Sequence, residues 1–125
     1  MIKAILVLAG GALGALTRYG VTYFTSKAHS STFAFGTLYI NLIGCLLIGM
    51  VFGLNEMRGV NHHFRLFFTT GFLGAMTTFS AYGLETIGYA NSGEFSRAIA
   101  NIVANNIGGL LCVKLGSVLA RYMCV

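Results

Sequence analysis

Four long apolar runs, at residues 2–24, 34–54, 66–89 and 98–122, constrain this 125-residue chain more than any other feature. An α-helix rises about 1.5 Å per residue and satisfies its own backbone hydrogen bonds, so about 20 residues cross a hydrocarbon core ~30 Å thick that offers no partners. Each run has that length. The connections TSKAHSST from Thr25, NEMRGVNHHF from Asn55 and NSGEFSR from Asn91 gather most of the charged and turn-forming residues. The chain is 56% hydrophobic and 9% charged, where a soluble domain carries roughly a quarter charged residues. A transmembrane β-barrel would alternate apolar and polar residues with a period of two, and that alternation is absent. The expectation is an all-α integral membrane protein of four transmembrane helices, forming one domain over residues 1–125.

The net charge of +5 comes from basic residues scattered between Lys3 and Arg121, with no cluster or stripe, which argues against nucleic acid as a partner. Cys45, Cys112 and Cys124 make no CxxC or other ligand spacing. Lys3 ahead of an apolar run ending in small residues near Ala12 to Ala15 has the look of a leader, but the apolar pattern resumes after Arg18, so the first run reads as a span. Gly10 with Gly14 and Gly49 with Gly53 form GxxxG pairs, and Gly108, Gly109 and Gly116 line the fourth span; in lipid such residues let helix backbones approach. Lys3, Arg58, Arg65 and Arg121 fall on one side and Lys27, Arg97 and Arg18 on or near the other. So even a balance sets no strong orientation, which would permit an antiparallel dimer inserted both ways.

Two segments carry the polar chemistry. In GFLGAMTTFSAYGLE, from Gly71 to Glu85, two glycines, paired threonines and a serine weaken the helix and offer its backbone competing hydrogen bonds, so a break near the middle of the third span is expected, with a kinked continuous helix as the alternative. Backbone freed at membrane depth must be buried or line a polar cavity, where carbonyls can coordinate a cation. In GTLYINLIG, from Gly36 to Gly44, Thr37 and Asn41 lie four apart on one helix face. The Asn41 amide offers two N–H donors, which serve either an anion or a neighbouring helix. Asn101 and Asn105 share a face of the fourth span and read as a helix contact in preference to a polar wall; Lys114 lies well inside that span.

GTLYIN followed about thirty residues later by GFLG and TTFS resembles the paired signature of the Fluc (CrcB) family of fluoride ion channels, which also has this length and four-span layout. The resemblance implies a multi-pass protein of the bacterial plasma membrane, an antiparallel dual-topology dimer that exports fluoride passively through two pores. It implies Asn41 as a fluoride donor and Phe79 as a pore phenylalanine whose ring edge faces the ion, with Thr37, Ser80 and Tyr82 beside them. It implies a structural sodium ion held by the backbone carbonyls of Gly74 and Thr77 from both subunits, and matches Arg18 and Glu85 to a family arginine and glutamate.

The match has departures. Where the family continues Ser-Thr-Phe-Ser after the first phenylalanine, this chain has Ser80, Ala81, Tyr82 and Gly83, and hydroxyl positions of the fourth span correspond to Gly109 and Val113. Tyr82 either adds a donor or blocks the ring-edge geometry, and a chain so altered either pairs with itself or works as a pore-degenerate subunit with a related partner chain. A small proton-coupled multidrug-type exporter is the alternative of another class; it needs an intramembrane carboxylate, and Glu85 is the candidate. The loop pair His62 and His63 lacks a companion carboxylate or cysteine at useful spacing, so no enzymatic centre is expected.

Overall fold

The computed structural model of the chain describes residues 1–28 and 33–123, and these are helical almost throughout, with no strand among them. Five helices follow in order: α1 (Ile2–Ala28), α2 (Phe35–Arg58), α3 (62–76), α4 (Phe79–Asn91) and α5 (Phe95–Tyr122). Three of them, α1, α2 and α5, are long and apolar enough to cross a membrane. The third apolar run is divided between α3 and α4, set end to end with Thr77 and Thr78 between them. The central part of α3, Arg65–Leu73, and the Ala104–Gly108 stretch of α5 are wound in wide π turns, a local feature the apolar periodicity did not signal.

The helices reach further into the polar connections than hydropathy alone placed them. α2 runs on to Arg58, where the Gly59 amide donates to the Asn55 carbonyl at 3.1 Å and a φ of 69° turns the chain away. Two residues later Asn61 caps α3, its side chain accepting from the His63 amide at 2.8 Å. Gly93, at φ 77°, makes the equivalent turn between α4 and α5. Part of the TSKAHSST connection, and Cys124, lie outside the described residues.

Glycine decides which helices pair. A Cβ on Gly10 would overlap the Phe67 carbonyl oxygen and one on Gly14 the Phe72 carbonyl oxygen, so α1 lies directly on the α3 backbone. On the other side of the bundle, Gly49 faces the Val113 carbonyl, Gly53 the Ser117 carbonyl, and Gly116 the Leu46 carbonyl. Contacts advance together along both pairs, so α1 runs parallel to α3 and α2 parallel to α5. Against α2 the order reverses, because Gly36 meets Thr25 of α1 while Thr37 meets Glu85 of α4. The chain therefore passes up and down alternately, and the end holding Arg58 and Arg121 also starts α1 and α3. At that end Arg121 Nη2 donates to Glu56 Oε2 at 2.6 Å.

The buried core is small: Ile40, Leu73 and Met76, with Val21, Leu47, Phe68 and Phe72 packed on it. Most large apolar side chains of α1 and α5 point outward, as helices do when lipid or another copy is their solvent.

Candidate functional site

The site grows out of the break between α3 and α4. Thr77 and Thr78 both adopt extended backbone, with φ −78°, ψ 155° and φ −149°, ψ 120°. The Thr77 amide and hydroxyl both donate to the Leu73 carbonyl, each at 3.0 Å, and close off α3. In a continuous helix the Thr78 amide would donate to the Gly74 carbonyl. Instead it donates to Asn41 Oδ1 at 2.9 Å, and Asn41 Nδ2 donates to the Thr78 carbonyl at 3.1 Å. One side-chain amide thus satisfies both polar groups of the broken residue, as a neighbouring strand would, and leaves the Gly74 carbonyl without its helical donor. Thr78 Oγ1 then caps α4 by accepting from the Ala81 amide at 3.2 Å and lies 3.2 Å from Ser80 Oγ.

A polar ladder continues from Asn41. Its second N–H donates to Asn105 Oδ1 at 2.9 Å, Asn105 donates to Asn101 Oδ1 at 2.9 Å, and Asn101 donates to Thr86 Oγ1 at 2.9 Å. Thr86 in turn donates to the Tyr82 carbonyl at 2.8 Å. Asn101 is wholly buried, so every rung satisfies a group that would be costly to leave unpaired. Asn101 and Asn105 are therefore contacts between helices, as expected, and both N–H groups of Asn41 are engaged within the chain. The wide turn at Ala104–Gly108 lets two successive residues serve this side of the helix, Asn105 toward Asn41 and Asn106 toward Tyr82.

The break stands between two clefts. The first, of about 350 Å³, is lined by Asn41, Gly74, Thr77, Phe79, Tyr82 and Asn105 among others, none of them charged. The second, of about 540 Å³, contains Arg18, Thr37, Ser80, Ala81 and Leu84, and Thr78 lines both. The Phe79 ring is 79% exposed and touches Tyr82, ring centroids 5.2 Å apart and tilted 57°. Glu85 lies in a third, smaller cleft with Thr22 and Thr25, where the buried Thr37 hydroxyl donates to its Oε1 at 2.5 Å. Among the described residues its buried Oε2 has no hydrogen-bond partner.

Of the residues singled out from sequence, Asn41, Gly74, Thr77, Phe79 and Tyr82 come together in the first cleft, and Arg18, Thr37 and Ser80 meet in the second. Of these residues, Glu85 is joined to Thr37. Gly109 packs beside Cys45, and the Val113 backbone lies against Gly49, so these two departures sit at the α2–α5 contact. Lys114 is exposed. Sequence reasoning missed Thr78 as the bridged residue and Asn106 as the partner of Tyr82; the Thr-Thr and Asn-Asn doublets were the available signals. It also read Gly44 only as part of a motif. A Cβ there would collide with the Thr77 methyl group, so that glycine admits the break against α2.

The family model described as "CrcB-like protein, Camphor Resistance (CrcB)" matches residues 5–117. Among curated proteins the chain is 41% identical over 123 residues to the "Fluoride-specific ion channel FluC" of Dehalococcoides mccartyi, covering 97% of this chain and 94% of that one. It is 41% identical over 122 residues to the protein of that name from Maridesulfovibrio salexigens, covering 97% of each. A third, from Parabacteroides distasonis, is 38% identical over 121 residues, covering 97% of this chain and 94% of its own. With a match this long to the family model and relatives this similar from end to end, the chain belongs to the CrcB-like family.

Proposed function

We propose that this multi-pass membrane protein is a fluoride-selective channel that lets fluoride leave the cell down its electrochemical gradient. The observation that carries the reading is the near full-length similarity to proteins named as fluoride-specific channels. The site's chemistry supports it. Fluoride is a small, strongly hydrated anion, so a path for it must replace water with closely spaced donors while holding the ion loosely enough to release it. The first cleft offers amides, hydroxyls and an aromatic ring edge, which carries positive quadrupole charge, and no fixed cation. Arg18 in the second cleft supplies positive potential that draws anions toward Thr37 and Ser80. Because both Asn41 N–H groups are engaged, fluoride takes one by displacing the Asn105 or Thr78 carbonyl, and the stronger bond that an anion makes to the donor offsets the carbonyl left unpaired.

The assembly belongs to the same proposal. One chain leaves Phe79 bare and its clefts open, and the nearly even distribution of basic residues suits insertion in both orientations. A second copy, antiparallel to the first, completes the path, with a related partner chain as the other arrangement; the third crossing is then α3 and α4 together. A structural sodium ion fits the break. The Gly74 carbonyl has lost its helical donor, and Gly74 and Thr77 line one cleft. Two carbonyls from one chain are too few for a hard cation, and the same pair from a second chain makes four oxygen ligands. Membership of the CrcB-like family argues against the exporter alternative. Growth of a fluoride-sensitive bacterium tests the whole reading: the chain should restore growth in fluoride, and failure to do so with the protein present in the membrane would refute it.

A further inference from the structure

Tyr82 departs from the phenylalanine expected at its position, and the structure shows what its hydroxyl does. Asn106 Nδ2 donates to the Tyr82 hydroxyl oxygen at 3.0 Å and to the Ile102 carbonyl at 2.8 Å, so both hydrogens of that amide are committed. The hydroxyl oxygen therefore receives a hydrogen bond, and its own proton is left to point elsewhere. Among the described residues, no group accepts it, while Tyr82 and Asn106 line the same uncharged cleft as Phe79 and Asn41. A polar hydrogen in a membrane-depth cleft needs an acceptor. The ladder through Asn41, Asn105 and Asn101 does not involve this hydroxyl, since Thr86 bonds the Tyr82 backbone carbonyl. That leaves the Tyr82 side chain free for a separate task.

We propose that the Tyr82 hydroxyl is an additional anion donor and that Asn106 is the positioning residue that aims it. The proposal rests on the fluoride reading and names a contact within that site. A donor whose oxygen already accepts a hydrogen bond gives its proton more strongly, because linked hydrogen bonds polarise one another. Fluoride, the most compact halide, gains more from such a donor than chloride does, so the pair acts on selectivity as well as on rate. The Tyr82 ring stays against Phe79, with the donor at its tip in place of a second bare ring edge.

The test is fluoride and chloride efflux from liposomes holding the full chain as wild type, Y82F, N106L and the double variant. Y82F removes one oxygen and keeps the ring, so it should fold, slow fluoride efflux on the order of tenfold and narrow the preference over chloride. N106L should change both in the same direction and by less, and should add nothing in the Y82F background; N106A replaces it if N106L does not fold. Y82F that conducts fluoride as fast as the wild type, or faster, with the same preference overturns the proposal. So does an Asn106 effect that persists undiminished without the hydroxyl. A folded but silent wild type would instead remove the reading of a fluoride channel formed by this chain alone, and this proposal with it, whereas a conducting wild type with an indifferent Y82F would remove this proposal alone.

Discussion

The glycine-lined seams and the bridged break hold this molecule by opposite means. Where α1 meets α3 and α2 meets α5, the absence of side chains lets one backbone rest on another, and shape alone sets the distance. At Thr77 and Thr78 the backbone is released from its helix and held by the Asn41 amide and the ladder behind it. A seam held by shape fails when anything is added, whereas a break held by hydrogen bonds fails when a particular atom is removed. The scaffold and the site should therefore respond to different substitutions, and the contrast can be broken from either side.

The largest effect on folding is expected at the seams. Gly49→Leu drives a side chain into the Val113 backbone, where no rotamer escapes, and should cost about 3 kcal/mol or more, read as loss of monodisperse, helical protein in detergent. Asn41→Leu comes next. It strips both partners from Thr78 and the acceptor's donor from Asn105, leaving buried polar groups that cost about 1–3 kcal/mol each. A lowered thermal midpoint together with lost fluoride efflux is the expected outcome, and an unchanged midpoint would show that the bridge does not hold the break. Phe79→Ile should separate site from scaffold. The ring is largely uncovered within the chain, so stability should shift within about 0.5 kcal/mol while conduction is abolished; normal fluoride flux in that variant would refute the assigned role. The smallest effect belongs to Glu56→Ala, which removes an exposed ion pair with Arg121 worth about 0–1 kcal/mol and should leave flux unchanged.

The same contrast explains what could be read in advance. The apolar runs and GxxxG pairs announced the helices and the seams, because lipid imposes span length and close backbone approach demands small residues. The break was legible from Gly71 to Glu85, since glycine and paired threonines disfavour a continuous helix. Its bridging partner was not. Asn41 reads from sequence as a polar residue sharing a helix face with Thr37, but that its amide clasps Thr78 depends on how α2 crosses the broken helix, and no local pattern encodes that crossing. The same holds for Asn106 and Tyr82, brought together by the wide turn at Ala104–Gly108. Helix ends were misjudged by a few residues because Asn61 and Gly59 cap and turn the chain inside a stretch that reads as a polar loop. The resemblance to fluoride channels, carried by GTLYIN, GFLG and TTFS, agrees with the family to which the chain belongs.

Efflux from liposomes holding the purified chain alone, followed with a fluoride electrode beside a chloride-loaded control, tests the central claim most directly. The account predicts rapid fluoride efflux with chloride retained. Chloride leaving as fast as fluoride, or neither ion leaving from liposomes that hold folded protein, would contradict a fluoride-selective channel formed by this chain.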